Sequence, residues 1–177
     1  MAAGRAPATP MCEVIFVARL TGKQAADYFR RCFGAVDGLW CMKVEERYGF
    51  EVALDVDRAV WEVFPKIQAR KLKELTGLGN GLEALKEAYT TKLELEDYEF
   101  VVEDLPGGGF SITLSECPWH GVMLRSGRGH LSGRVGSTIC PTEYGVWAAE
   151  FGPGITWEQD SRICEGDQTC TIRFKPA

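Results

Sequence analysis

The sequence predicts a single α+β domain in which an N-terminal helical layer packs on a small, mostly antiparallel β-sheet. Apolar residues recur with helical spacing over residues 20–92, and alternation with a period of two replaces that spacing afterwards. A chain of 177 residues, 45% hydrophobic and 25% charged, is long enough for one well-packed core. We therefore expect a disordered tail over residues 1–10 and one domain over 11–177, helical over 20–92 and hairpin-rich over 93–177.

The helical part divides at recognisable boundaries. Thr21 is a suitable N-cap for a first helix, whose apolar pattern continues toward Gly49. A second helix is expected to start near Asp55 or Asp57 and to end at Gly77, with a kink or break at Pro65. A further helix is expected after Asn80 and Gly81. The aromatic and aliphatic stripes on these helices predict core packing, with a ligand pocket as the alternative.

Two hairpins are expected in the second part. Residues 93–103 and 110–115 flank a Leu-Pro-Gly-Gly-Gly turn, and residues 155–164 lead through another turn into an alternating segment at 170–174. Short helices are predicted between the hairpins, one after Pro118 and one over about 141–151, since proline is favourable in the first turn of a helix.

Composition excludes several classes of function. A formal net charge of −5 argues against a general nucleic-acid binder, and no apolar segment approaches the roughly 20 residues of a membrane span. The start of the chain lacks the apolar core of a signal peptide, so we expect a cytoplasmic protein with reduced thiols. No membrane or nucleic-acid partner is predicted, and the oligomeric state stays open.

Chemistry-bearing side chains concentrate in the last third of the chain. Four cysteines, one histidine and one glutamate form the candidate site: Cys117, Cys140, Cys164, Cys170, His120 and Glu143. Cys117 and Cys140 are each expected at a helix N-terminus, where partial positive charge favours the thiolate. Cys164 and Cys170 flank a hairpin turn, and His120 and Glu143 each follow a cysteine by three residues. Thiolates with an imidazole or carboxylate are donors that suit zinc.

Three interpretations of these cysteines stay open: a zinc site, a nucleophilic thiol, and plain packing as small apolar side chains. Cys12, Cys32 and Cys41 lie on apolar stripes, so packing is expected for them. The arginines and histidine of residues 125–134 are compatible with binding a carboxylate or phosphate, although a solvated basic loop is the simpler interpretation.

A family resemblance covers most of residues 30–174. The motifs that carry it are Ser-Glu-Cys-Pro at 115–118, Cys-Pro-Thr-Glu-Tyr at 140–144, Phe-Gly-Pro-Gly-Ile at 151–155 and Gly-Asp-Gln-Thr-Cys-Thr-Ile-Arg-Phe at 166–174. They resemble the L-2-amino-thiazoline-4-carboxylic acid hydrolase family. They resemble uncharacterised relatives of that family more closely, which also share the helical stretch at 39–53. The hydrolase relatives usually have aspartate at the position of Glu143 and lack a cysteine at that of Cys164.

A more distant similarity is to the 4-vinyl-reductase domain. That domain is an α+β ligand-binding module, and some members hold zinc with three cysteines and a glutamate beside the ligand pocket. The resemblance implies that Cys140, Cys164 and Cys170 match those cysteines. Ser161 stands where the glutamate would be, so a fourth ligand would come from one of four other residues: Glu158, Asp160, Cys117 or Glu143.

Two functions follow as expectations. The first is a small-molecule-binding domain with a cysteine-rich zinc site, formed by Cys117, Cys140, Cys164 and Cys170, beside an apolar pocket. The alternative is a hydrolase that opens a small ring at a C–N or C–S bond. Its nucleophile would be the Cys117 or Cys140 thiolate, or a metal-bound hydroxide, and Glu143 or His120 would move the proton.

Overall fold

A computed structural model describes residues 18–177. The tail expected at residues 1–10 and the packing expected for Cys12 lie outside these residues. The described chain has an α+β architecture, and its helices and strands are α1 (Gly22–Tyr48), α2 (Phe50–Trp61), α3 (Phe64–Thr76), α4 (Leu82–Leu95), β1 (Phe100–Asp104), β2 (Phe110–Leu114), α5 (Pro118–Arg125), α6 (Ser132–Phe151), β3 (Ile155–Ser161) and β4 (Cys170–Pro176). No helix over residues 18–177 is long and apolar enough to cross a membrane.

The first helices follow local signals in the sequence. Thr21 caps α1 through a reciprocal pair of bonds with Gln24, as its position predicts. Gly77 ends α3 in the left-handed conformation, with a φ of 75°. The break expected at Pro65 is also present, because α2 ends at Trp61 and proline occupies the first turn of α3.

Three expected boundaries are wrong. Helix α2 begins at Phe50, immediately after Gly49, and not near Asp55 or Asp57. Strand β1 begins at Phe100 and not near residue 93, because α4 continues to Leu95 to bury Leu93.

The third error concerns Pro141. It lies inside α6 and does not start a helix, so the second part of the chain contains a 20-residue helix as well as hairpins. An internal proline removes one helix hydrogen bond. The buried side chains along α6, which include Ile139, Tyr144, Trp147 and Phe151, show that tertiary packing outweighs that loss.

The sheet has four antiparallel strands in the order β1-β2-β4-β3. Both expected hairpins are present, and β2 and β4 bring them together side by side. Phe110 lies opposite Phe174 and Leu114 opposite Cys170. The main core forms where this sheet meets α3, α4 and α6, around side chains such as Leu85, Tyr89, Trp147, Phe151, Ile112 and Phe174.

A second, smaller apolar cluster lies among the helices. Leu54, Trp61 and Ile139 are its buried members, and Phe64 and Trp119 pack against them. Helix α6 contributes side chains to both clusters, and it contacts α2, α3, α4 and β3. This central helix therefore determines where the space between the two clusters lies.

Candidate functional site

A cavity of about 340 Å³ lies between the two apolar clusters. Side chains from the main core, such as Tyr89 and Tyr144, line it together with Trp61, Trp119 and Ile139 from the smaller cluster. The walls are predominantly aromatic and aliphatic, with a few ionisable groups among them. A mostly apolar cavity with few polar groups is typical of small-molecule sites.

Five cysteines line this cavity, and we call the four from the last third of the chain the thiol cluster: Cys117, Cys140, Cys164 and Cys170. They come from the start of α5, the middle of α6, the turn after β3 and the start of β4. All four carry free thiols. The tertiary structure thus places side chains that are far apart in sequence around one cavity.

Cys117 occupies the predicted position at a helix start. It is the N-cap of α5, and its Sγ accepts a hydrogen bond from the backbone N–H of His120 at 3.5 Å. Burial nevertheless raises the pKa of the Cys117 thiol, and the N–H groups of α5 only partly offset that rise. The predicted bias toward thiolate is therefore wrong for Cys117 in the ligand-free protein.

Cys140 differs more strongly from its prediction. It lies inside α6, so no helix N-terminus supports a thiolate there. Burial raises the pKa of the Cys140 thiol far above its ordinary value, and the charge of Glu143 one turn away raises it further. Both expected features of Cys140, the helix start and the low pKa, are corrected by the structure.

Cys170 starts β4, as expected, but Cys164 lies inside the β3–β4 turn and not before it, because β3 ends at Ser161. The Sγ of Cys170 accepts a hydrogen bond from the backbone N–H of Ile163 at 3.2 Å, so the turn folds back onto β4. Burial raises the pKa of the Cys170 thiol to about 11. The Sγ of Cys164 packs directly on Gly136 of α6, where a larger residue would leave no room for it.

Glu143 is buried beside the thiol cluster and is held by a lysine that the sequence analysis did not identify. Lys92 of α4 is only 3% exposed, and its Nζ lies 2.6 Å from Oε1 of Glu143 and 2.9 Å from Oε2 of Glu96. Burial opposes the charge of Lys92, but the two carboxylates together outweigh burial and raise the pKa of Lys92. Burial also raises the pKa of Glu143, and the positive charge of Lys92 offsets part of that rise.

The remaining predicted residues divide into two groups. His120 lines the cavity, and its Nδ1 lies 2.7 Å from Oγ of Ser132, which orients the ring. Glu158 and Asp160 alternate with inward-facing residues on β3 and pair with Lys175 and Arg173. Of the four candidates for a fourth zinc ligand, only Cys117 and Glu143 line the cavity.

The thiol cluster suits zinc by chemistry more than by position. Soft sulfur donors and one carboxylate are the atoms that zinc binds. Across residues 18–177, however, no three His, Cys, Asp or Glu side chains stand close enough together to hold a metal ion. Zinc binding would therefore need the sulfurs to move closer together than they lie in this structure.

A pair of carboxyl groups lines the cavity between α1 and α2, and we call Asp37 and Asp57 the carboxyl pair. Burial raises the pKa of Asp57 to about 6, and the charge of Asp37 adds to that rise. Burial also raises the pKa of Asp37. Cys41, expected only to pack, lines the cavity as well, and burial raises the pKa of its thiol to about 11.

These additional groups had little signal in the sequence. Lys92 and the carboxyl pair resemble the many charged residues on the solvent faces of the helices. Gln159 also lines the cavity, and its Nε2 is buried without a hydrogen-bond partner. A signal did exist for Lys92, since it stands among Tyr89, Leu93 and other residues with the spacing of a buried helix face.

A family model described as "Family of unknown function (DUF6125)" matches residues 24–105, which is fewer than half of the 177 residues. The matched segment runs from α1 to the end of β1 and includes the carboxyl pair and Lys92, but it ends before Cys117. No curated protein matches the chain.

Proposed function

We propose that this protein binds a small molecule in the cavity between the two apolar clusters. The observation that carries the proposal is the cavity itself, since about 340 Å³ of mainly apolar space, partly open to solvent, is lined by side chains of both clusters. A cavity of this size is better explained as a binding site than as a packing defect.

The apolar walls indicate how a ligand would be held. Trp61 and Trp119 contact each other edge-to-face, with ring centroids 6.3 Å apart, and both line the cavity. Aromatic walls of this kind contribute binding energy by excluding water from an apolar ligand. The Lys92–Glu143 pair and the thiol cluster line the same cavity and supply polar groups that would fix the ligand's orientation.

A neutral fluorescent probe tests this proposal. N-phenyl-1-naphthylamine gains fluorescence on entering an apolar site, and we expect saturable binding of one molecule per chain. Val135→Phe places a larger side chain on the cavity wall and should weaken binding at least tenfold. Val101→Phe makes the same change at a site 62% exposed on β1 and should leave binding unchanged. Equal binding by both variants, with native circular dichroism, would contradict the proposal.

We further propose that the thiol cluster holds a zinc ion. The supporting observation is that four thiols from four different elements line the same cavity. When bound, zinc would neutralise the thiolates and hold the β3–β4 turn against α5 and α6. A cytoplasmic location, also proposed, would keep these thiols reduced and available.

Metal analysis and thiol counting test the zinc proposal together. We expect one zinc per chain, four cysteines protected from alkylation in the native protein, and release of that protection by a chelator. Cys170→Ser should then lower the melting temperature sharply, and Cys32→Ser, at a half-buried free thiol outside the cavity, serves as its control. A protein without zinc whose cluster thiols all react at the same rate as that of Cys32 would contradict this proposal.

A hydrolase is the second candidate, and Cys117 is the residue that favours it. Its Sγ faces the cavity and already accepts a backbone N–H at the start of α5. A ligand that carried positive charge there would favour its thiolate, and His120, within one helical turn, would move a proton. Cys117→Ser should then abolish turnover of a ring substrate and leave probe binding intact. Activity that survives this substitution would remove Cys117 as the nucleophile.

A further inference from the structure

The carboxyl pair has no cationic partner in the described part of the chain. Asp37 comes from α1 and Asp57 from α2, and both line the cavity. Neither forms an ion pair with any of residues 18–177, although many surface carboxylates of this protein do. Two partly buried carboxyl groups that line one cavity, with the charge of one raising the pKa of the other, are an electrostatic cost to the ligand-free fold.

The cations of the neighbourhood are already engaged. Arg128 lines the cavity near Cys41, but its guanidinium pairs with Glu45 of α1. Lys92, which also lines the cavity, is paired with the carboxylates of Glu143 and Glu96. Because the pKa of Asp57 is raised only to about 6, the Asp57 carboxyl is mainly ionised near neutral pH. The cavity therefore has an excess of negative charge at this end.

Aromatic rings stand beside this negative end. Trp61 lies one helical turn after Asp57. Burial raises the pKa of Asp57, and a hydrogen bond from the Trp61 side chain offsets part of that rise. Trp119 and Phe50 line the same cavity. The face of an aromatic ring attracts a cation, and carboxylates placed beside such rings add to that attraction.

We propose that the ligand of this cavity is an organic cation. Its protonated amine or quaternary ammonium group lies against Asp37 and Asp57, and its apolar body lies along Trp61 and Trp119. This inference rests on the proposed function and specifies its ligand class. An anionic ligand is disfavoured, because the lining cations Lys92 and Arg128 are already paired with carboxylates of this chain.

A pair of isosteric ligands tests this inference. Benzyltrimethylammonium and neopentylbenzene have nearly the same shape and differ in charge, and each can compete with bound N-phenyl-1-naphthylamine. We expect the cation to compete at least tenfold more strongly. Asp37→Asn and Asp57→Asn should each reduce the affinity for the cation about three- to tenfold relative to the affinity for the neutral probe. Asp55→Asn is the control, because Asp55 lies on the same helix as Asp57 but at an exposed site outside the cavity. This variant should change neither the affinity for the cation nor that for the neutral probe.

The outcomes separate this inference from the proposed function. If the probe binds but the two isosteres compete equally, or if the asparagine variants retain full affinity for the cation, the charge assignment is wrong and the binding site stands. If neither the probe nor either isostere binds, the proposed function fails and the inference fails with it. Native circular dichroism of each variant ensures that a lost affinity reports on the site.

Discussion

Replacement of Lys92 by methionine is the most informative single substitution in this protein. Methionine keeps most of the apolar stem but removes the ammonium group that contacts Glu143 and Glu96. The side chain of Glu143 is 11% exposed and that of Glu96 17% exposed, so water cannot fully replace the lost cation. The variant would therefore contain two nearby carboxylates without a counter-ion.

The expected loss of stability is large. Breaking a buried ion pair by removing one partner costs about 3–5 kcal/mol in the free energy of unfolding. For a chain of this length, each kcal/mol changes the melting temperature by about 2–4 °C, so a decrease of about 6–20 °C is expected. Urea denaturation followed by circular dichroism measures the free energy of unfolding directly.

The loss should also depend on pH. Burial already raises the pKa of Glu143, and without Lys92 this pKa would rise further. A carboxyl group whose pKa is higher in the folded state than in the unfolded state costs nothing while both states are protonated. Stability is then lost as the pH rises through the folded-state pKa. Lys92→Met should therefore be less destabilising at pH 5 than at pH 8.

Two further variants complete the experiment. Lys86→Met changes a lysine of the same helix whose partners, Glu83 and Asp104, are exposed, and little change is expected. Adding Glu143→Gln to Lys92→Met removes one of the uncompensated charges and should restore part of the lost stability. The reasoning would be refuted if Lys92→Met and Lys86→Met had equally small effects, or if the loss were the same at both pH values.

Three other substitutions test separate features of the structure. Asp57→Asn should raise the free energy of unfolding at pH 8 by about 1 kcal/mol and have less effect at pH 5. The reason is that the folded-state pKa of Asp57, about 6, makes ionisation of this carboxyl unfavourable in the fold. Urea denaturation at both pH values measures this difference. Gly136→Ala should displace the sulfur of Cys164 and change its rate of maleimide labelling, measured by mass spectrometry. Gly109→Ala should destabilise the protein by more than about 2 kcal/mol, because φ at Gly109 is +95° and the new Cβ would meet the backbone of β4. The control Gly79→Ala places its Cβ in open space and should not destabilise the protein. Thermal melts compare the two variants.

The elements that could be predicted from the sequence are those set by short-range interactions. Thr21 caps α1 and Gly77 ends α3, because capping bonds and positive φ depend on a few neighbouring residues. The same holds for the two hairpins, whose glycine-rich turns reverse the chain.

The errors arose where packing outweighs a local signal. Pro141 is an acceptable first residue of a helix, and nothing in its immediate neighbourhood shows that α6 starts at Ser132. The length of α6 is determined by the apolar surfaces of α2, α3, α4 and β3 that it covers. The pKa of Cys140 follows from that burial, so the sequence indicated a thiolate where the structure has a thiol held protonated.

The sequence by itself determined the α+β architecture, most helix and strand boundaries and the identity of four cysteines worth examining, because periodicity and capping act over a few residues. Only the tertiary structure decided that these cysteines share one cavity, that Lys92 neutralises Glu143, and that Asp37 and Asp57 are left without a cation in the described chain. Charge compensation and burial depend on residues that are distant in sequence, so they emerge only when the helices and the sheet come together.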